Sequence, residues 1–285
     1  PRLISFAPVL LDPKYYSEIE LPTLIDHWNL TNYHVLGHSW GTILAQLFAL
    51  IYANGNNSDD DNSNTESMDI KKGLQSLILS GPISNAHEYI TAQWDKNTGN
   101  LGSLPPFIQG RIHMLENERA YESAEYEAIN EVLTSFFTMR TSPPPDCFTD
   151  SAEGLNSEVY VGMQGASEFT VSGVLGDLDL LPRLHEINIP VLLTHGQFDT
   201  MRPSTVISIQ DHLTTVERVM FPHSGHVSMI DDTELMNDAV ANFLFRVENG
   251  LGIGVVNVSS SSLEQGVLPV VISEDEDDKE DKVET

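Results

Sequence analysis

A serine in a Gly-x-Ser-x-Gly pattern is the first group in this sequence that could do chemistry. The pattern spans residues 37–41, with Ser39 at its centre and His38 in its variable position. It follows a β-like run at 33–37 and precedes TILAQLFALIYA at 42–53, which is apolar almost all round. In a strand–turn–helix context the turn exposes the serine hydroxyl, and the glycines let strand and helix approach closely. The placement predicts a nucleophilic serine rather than one that only caps a helix.

A serine nucleophile needs a base that takes its proton and an acid that orients the base. In this kind of arrangement the chain order is serine, acid, histidine. Asp199 follows the strand-like segment PVLLTHG and His226 follows the strand-like segment ERVMF, so both stand in loops at strand ends. The spacings, 199 − 39 = 160 and 226 − 199 = 27, leave room for an inserted unit before the acid. We therefore predict Ser39 as nucleophile, Asp199 as orienting acid and His226 as general base.

Other histidines and acids fit these roles less well. His223 comes sooner after the strand and lacks the preceding glycine that lets a loop project a ring inward. His195 is expected at the end of a strand, as a packed or hydrogen-bonded side chain. Asp231 and Asp232 follow His226 too closely to orient it from a neighbouring strand end, and we expect them to open the last helix.

The elements that must position these groups alternate between short apolar strands and helices. The predicted strands lie at 33–37, 74–80, 190–195 and 217–221, and an amphipathic helix at 234–249 closes the pattern. Strands rich in Leu, Val and Ile that alternate with helices predict an α/β fold with a mostly parallel sheet covered on both faces.

Helical, loop-rich and proline-containing sequence interrupts this pattern and predicts an inserted cap. Two polar stretches, one Asn/Asp-rich and one acidic, cannot contribute to a packed core and are expected to be mobile. The expected division is a first part of the core at 1–80 with a mobile insert at 54–69, a helical cap at 81–185, a second part of the core at 186–248, and a low-complexity acidic tail at 249–285.

The composition excludes several classes of protein. The 285 residues include 14 Lys+Arg and 42 Asp+Glu, a formal charge of −28, whereas a duplex-binding module needs clustered cations. The single cysteine, Cys147, excludes an internal disulfide framework and a cysteine-based zinc site. No apolar run has membrane-spanning length, no side-chain cluster has metal-ligand spacing, and no Gly-rich phosphate loop occurs. We expect no metal, no cofactor, no nucleic-acid or membrane partner and a cytoplasmic location, and the oligomeric state stays open.

Several further motifs occur in a fixed order along the chain. They are GHSWGT at 37–42, LSGP at 79–82, MQGASEFTVSGVLGDL at 163–178, GQFD at 196–199 and SGH at 224–226. The first is similar to GxSWGG and the third to MNGPSEFxxxGxL, both of the proline iminopeptidase family. The sequence thus resembles the α/β-hydrolase superfamily, and within it the proline iminopeptidase family, which includes the tricorn-interacting aminopeptidases. The resemblance covers about residues 15–50 and 74–246.

This resemblance implies an α/β-hydrolase fold with a helical cap. It implies a serine aminopeptidase that releases N-terminal residues, proline preferred, from short peptides or amino-acid amides through an acyl-enzyme and without a cofactor. It assigns Ser39, Asp199 and His226 the roles given above, and it implies that Glu168 binds the free α-amino group of the substrate. A carboxylate suits that role because the amino group is a cation one residue from the scissile carbonyl.

Three departures from the family pattern keep other functions open. Thr200 stands where close relatives in the tricorn-interacting group have a second amino-binding Glu, and Thr42 replaces the final glycine of GxSWGG. The HGGPG-type oxyanion segment and the N-terminal strands are missing from the sequence, which opens on Pro1 instead of methionine as a fragment would. Trp40 then supplies one of the two backbone N–H donors that a tetrahedral oxyanion needs. A small ester or amino-acid-amide hydrolase, and a non-catalytic remnant that acts as a binding protein, therefore stay as alternatives.

Overall fold

The computed structural model describes residues 8–52, 73–253 and 257–258. The expected mobile insert at 54–69 lies outside the described residues, and so does most of the expected acidic tail at 249–285. Within the described residues, no helix is both long enough and apolar enough to cross a membrane.

A parallel sheet forms the centre of the molecule. Its strands are β1 (Tyr33–His38), β2 (Leu74–Ser80), β3 (Val191–Gly196), β4 (Val216–Phe221) and β5 (Asn257–Val258). They are hydrogen-bonded in the order β1-β2-β3-β4-β5, and every neighbouring pair is parallel. The predictions of β1 to β4 and of a parallel α/β sheet are confirmed, whereas β5 is an additional strand that the sequence pattern does not predict.

Helices connect the strands and cover the sheet. They are α1 (Leu21–His27), α2 (Trp40–Tyr52), α3 (Ala86–Gln93), α4 (Pro106–Asn117), α5 (Ala124–Leu133), α6 (Asp146–Glu153), α7 (Ser157–Met163), α8 (Pro203–His212), α9 (Ser228–Asp231) and α10 (Thr233–Glu248). Short 3-10 helices lie at Pro8–Leu11, Val174–Asp177 and Leu181–Glu186, and π-helical turns at Tyr15–Glu20 and Thr134–Thr138.

The two faces of the sheet carry separate apolar clusters because successive strand residues point to opposite sides. Leu77 and Leu79 of β2 pack with Phe48 of α2 in one cluster. Ile78, between them in sequence, packs with Phe243 of α10 in the other. Full burial of each such side chain stabilises the fold by about 1.5–3 kcal/mol. The burial on both faces explains why these strands read as continuous apolar runs.

The helices α3 to α7 lie in the segment between β2 and β3, residues 81–190, here called the inter-strand segment. It has a small apolar cluster of its own, formed by Leu101, Ile112, Leu133 and Phe169. Because the carboxyl ends of parallel strands meet at one edge of the sheet, the residues that follow β1, β3 and β4 lie at the same edge as the start of this segment.

Candidate active site

Ser39 occupies a tight turn between β1 and α2. Its backbone has a positive φ of 54°, a conformation that costs energy for a residue with a side chain and is common at functional sites. The backbone N–H of Ser39 donates to the carbonyl of Ser80 at the end of β2 (2.9 Å), and the Ser39 carbonyl accepts from Thr42 N (2.8 Å). A Cβ at Gly37 would lie 2.3 Å from the Gly41 carbonyl oxygen, so this position requires glycine. The turn therefore has the geometry that the sequence pattern predicts.

Asp199 lies in the loop that follows β3 and is completely buried. Its Oδ1 accepts a hydrogen bond from the backbone N–H of Met201 (2.7 Å) and a longer one from Thr200 Oγ1 (3.4 Å). The same oxygen lies 2.8 Å from Nδ1 of His226. Three donors thus fix this carboxylate, and His226 Nδ1 is one of them.

His226 lies in the loop that follows β4 and is almost completely buried. Because its Nδ1–H donates to Asp199, the other ring nitrogen, Nε2, carries the lone pair that a general base needs. Within the described residues Nε2 makes no hydrogen bond. Burial by itself lowers the pKa of His226, but the charge of Asp199 and its hydrogen bond outweigh burial, and the net effect raises the pKa. Asp199 therefore favours the imidazolium that forms when His226 accepts a proton.

The His226 ring contacts His38, which precedes Ser39, and Gly81, which follows the hydrogen-bond partner of Ser39. The His226 ring packs against Gly81, where a Cβ would lie 2.6 Å from Cε1 of the ring. Gly81 directly follows Ser80, which accepts the Ser39 N–H. On the other side, the rings of His38 and His226 are 4.7 Å apart. The structure thus gathers Ser39, Asp199 and His226 from three strand ends at one edge of the sheet.

His38, which occupies the variable position of the motif, contacts His226. Its Nε2–H donates to the backbone carbonyl of His226 (3.0 Å). Burial, followed by the neighbouring His226, lowers the pKa of His38 to about 4. A neutral His38 can therefore hold the His226 backbone without adding a second positive charge. The sequence offers no signal for this contact beyond the position of His38 beside the serine.

Trp40 is the first residue of α2. A backbone N–H in the first turn of a helix has no acceptor within that helix, so the N–H of Trp40 has no partner within α2. Its indole ring packs edge-on against Tyr16, with ring centroids 5.0 Å apart.

Glu168 is half-buried in the coil that follows α7, and two tyrosines hold it. The hydroxyl of Tyr160, in α7, donates to Glu168 Oε1 (2.5 Å). The hydroxyl of Tyr89, in α3, donates to the backbone carbonyl of Glu168. Burial and the charge of Glu168 raise the pKa of Tyr160, which keeps its proton in place for this hydrogen bond. The charge of Glu168 also contributes, as the smallest cause, to the raised pKa of His226.

Thr200 is completely buried beside the acid. Its hydroxyl points to Asp199 Oδ1, and its carbonyl accepts from Gln93 Nε2 (2.9 Å). The position therefore supports Asp199 and carries no negative charge.

The competing histidines lie where they cannot act as the base. His223 is exposed, and its backbone N–H donates to Asp232. His195 is buried, its Nε2 lies 3.1 Å from Arg218 Nη1, and burial is the main cause that lowers its pKa to about 4.

Asp231 and Asp232 lie directly before the last helix. The sequence predicts that they open the last helix, and α10 does begin directly after them at Thr233. Asp232 is the N-cap residue of α10, but its side chain makes no cap hydrogen bond and accepts from Ser224 Oγ instead (2.7 Å). The Asp231 carboxylate accepts from Gly225 N (2.9 Å). Both acids therefore accept hydrogen bonds from the loop that carries His226.

Comparison with known proteins gives the family. No family model matches the chain. A proline iminopeptidase from Flavobacterium johnsoniae is 29% identical over 237 residues, which cover 81% of this chain and 71% of that protein. A proline iminopeptidase from Heyndrickxia coagulans is 30% identical over 227 residues, which cover 79% of this chain and 71% of the relative. This chain belongs to the proline iminopeptidase family. The resemblance to that hydrolase family predicted from the motifs is therefore confirmed.

Solved structures agree on the fold of this proline iminopeptidase family member. The crystal structure of a proline iminopeptidase from Mycobacterium smegmatis superposes with a TM-score of 0.72 at 24% identity, over 86% of this chain and 75% of that one. The crystal structure of VinJ superposes with a TM-score of 0.71 at 21% identity, over 83% and 73%. The α/β-hydrolase fold predicted from the sequence is confirmed.

Proposed function

We propose that this chain is a serine aminopeptidase that releases N-terminal residues, proline preferred, from short peptides through an acyl-enzyme at Ser39. One observation carries the proposal. His226 is buried with Nδ1 bonded to Asp199 and Nε2 unbonded within the described residues, and its ring packs between His38 and Gly81 beside the strained Ser39 turn. A neutral imidazole in that state accepts a serine proton. The names of the relatives support the peptidase activity.

The proposed reaction has two proton-transfer stages. Ser39 Oγ attacks the carbonyl carbon of the first residue while His226 Nε2 takes the hydroxyl proton, and Trp40 N–H donates to the oxyanion. The tetrahedral intermediate collapses, the C–N bond breaks, and the imidazolium gives its proton to the leaving amine. Water then attacks the acyl-enzyme, again with His226 as the base, and the free residue leaves as Ser39 regains its proton. Asp199 stays ionised throughout and stabilises the imidazolium.

Glu168 is proposed to bind the free α-amino group of the substrate. Its half-buried carboxylate is held by Tyr160, and its charge contributes to the raised pKa of His226. An ion pair of this kind is stronger than a neutral hydrogen bond and excludes substrates whose amine is blocked.

A small ester or amino-acid-amide hydrolase is the second candidate, and Thr200 is the observation that favours it. The buried Thr200 hydroxyl points to Asp199 and offers no charge to a substrate amine. With Glu168 as the one proposed amine-binding carboxylate, recognition of the amine would be weaker and a wider range of acyl groups would be accepted.

The comparison of proline arylamide with its N-acetylated form tests the proposal. We expect the chain to hydrolyse the free amine and to reject the acetylated substrate, since acetylation removes the cation that Glu168 binds. Glu168→Gln should lower kcat/KM for the free amine about a hundredfold, because a charge-assisted hydrogen bond to a partly desolvated cation is lost.

The matched control is Glu153→Gln, an exposed acid in the same inter-strand segment. It removes the same charge from the surface and should leave kcat/KM within about twofold. Equal hydrolysis of free and acetylated substrates by the unaltered chain would contradict the aminopeptidase proposal and favour the small ester or amide hydrolase.

A further inference from the structure

The carboxylate of Asp231 joins two loops that are far apart in sequence. It accepts hydrogen bonds from the backbone N–H groups of Arg140 (3.0 Å) and Thr141 (2.8 Å) and from the Thr141 hydroxyl (2.7 Å). Its other oxygen accepts from the N–H of Gly225 (2.9 Å), the residue directly before His226. The four donors use both carboxylate oxygens, and we call this set of contacts the clasp. It links the inter-strand segment to the loop that carries the proposed base.

Two backbone hydrogen bonds beside the clasp also join the inter-strand segment to the histidine loop. His226 N donates to the carbonyl of Phe137 (2.9 Å), and Val227 N donates to the carbonyl of Thr138 (2.9 Å). The backbone at 137–138 therefore follows the backbone of the histidine loop. Since the His226 carbonyl accepts from His38, both backbone polar groups of His226 have partners outside its own loop.

Arg140 extends the contact to the loop of the proposed acid. Its guanidinium lies over the ring of Phe198, 3.9 Å from the ring centroid, and Phe198 directly precedes Asp199. Arg140 thus contacts both loops. Its backbone N–H donates to Asp231 beside the histidine loop, and its side chain covers Phe198 in the loop of Asp199. A contact of this type contributes about 0.5–1 kcal/mol at an exposed site.

These contacts give His226 a position that depends on the inter-strand segment. The ring is fixed by Asp199 at Nδ1, while the backbone is fixed by Phe137 and, through Gly225, by the clasp. We propose that Asp231 is a positioning residue: it ties residues 140–141 to the histidine loop and thereby sets the distance between His226 and Ser39. This inference rests on the proposed function of Ser39 and His226.

Replacement of the carboxylate by an amide tests the clasp. Asp231→Asn keeps the shape but leaves one acceptor oxygen, and its NH₂ group meets a backbone donor. We expect kcat to fall about a hundredfold with KM within about threefold, because a misplacement of about 1 Å between reacting groups has an effect of that size. We also expect faster hydrogen exchange at the amides of Gly225 and His226.

A milder variant covers the case in which Asp231→Asn does not fold. Thr141→Val removes only the hydroxyl donor and leaves every backbone donor in place, and it should lower kcat about fivefold. The matched control is Asp238→Asn, an exposed acid on α10, which should change neither kcat nor amide exchange.

The outcomes separate this inference from the proposed function. A folded Asp231→Asn variant with unaltered kcat, even if less heat-stable, would overturn the positioning role, and so would unaltered exchange at Gly225 and His226. If the unaltered chain hydrolyses no substrate, the proposed function fails, and amide exchange still decides whether Asp231 fixes the histidine loop.

Discussion

Two regions of the molecule hold their functional groups in different ways. Asp199 and His226 lie in loops that directly follow buried parallel strands, are themselves buried, and bond to each other. Glu168 lies half-buried in coil within the inter-strand segment, and tyrosine hydroxyls from two helices hold it. The first pair stands at strand ends, where backbone hydrogen bonds and a side-chain bond between the two residues fix it, whereas only tyrosine hydroxyls are seen to hold the second among the described residues. We infer that the proposed proton-transfer groups tolerate little displacement, while substrate recognition can change by substitution of single side chains.

The largest effect that tests this comparison is expected at the sheet edge. Asp199→Asn should lower kcat about 10⁴-fold, because the amide no longer favours the histidine tautomer and imidazolium that the reaction needs. The pH profile should shift as well. The Asp199 charge raises the pKa of His226, and a base works only when it is neutral, so activity falls as the pH drops through that raised pKa. Without the charge, the acid limb of kcat/KM should move to lower pH.

Asp211→Asn is the control for this variant, since it removes an exposed acid from α8, the helix that follows the Asp199 loop. It should leave both kcat and the acid limb unaltered. An Asp199→Asn variant with an acid limb at the same or a higher pH would contradict the role given to this carboxylate.

A smaller effect is expected in the inter-strand segment. Tyr160→Phe removes the hydroxyl that donates to Glu168 Oε1 and keeps the packed ring. KM for free-amine substrates should rise about fivefold with kcat within about twofold, because the carboxylate keeps its charge but loses a hydrogen bond that fixes its position. Steady-state kinetics on proline arylamide measure both constants.

Tyr121→Phe is the matched control, since the Tyr121 ring packs edge-on against Tyr126. An equal rise in KM for both variants would mean that the tyrosines act through general packing and not through Glu168.

The residues at the strand ends could be predicted from the sequence pattern, whereas Glu168 in the inter-strand segment could not. Ser39, Asp199 and His226 each follow an apolar run, and the rule that parallel strands end at one edge of the sheet predicts that they lie at the same edge. Strands β1 to β4 and helices α2 and α10 follow from the apolar pattern for the same reason. Glu168, in contrast, carries no local signal, and only the resemblance to a known family points to it.

Contacts across long stretches of chain leave no periodic pattern in the sequence. Asp231 lies 90 residues from Thr141, and the local sequence favours a helix start, so its role in the clasp is visible only in the fold. Strand β5 has two residues, too few for an alternating pattern.

Covalent labelling tests the central claim most directly, namely that Ser39, Asp199 and His226 act as one nucleophilic unit. A fluorophosphonate reacts with a serine whose proton a neighbouring base removes. After incubation and digestion, mass spectrometry should find one adduct, on the peptide that contains Ser39, and none on a Ser39→Ala variant. An unlabelled chain, as expected of a non-catalytic remnant, or an adduct that persists in Ser39→Ala, would contradict the account.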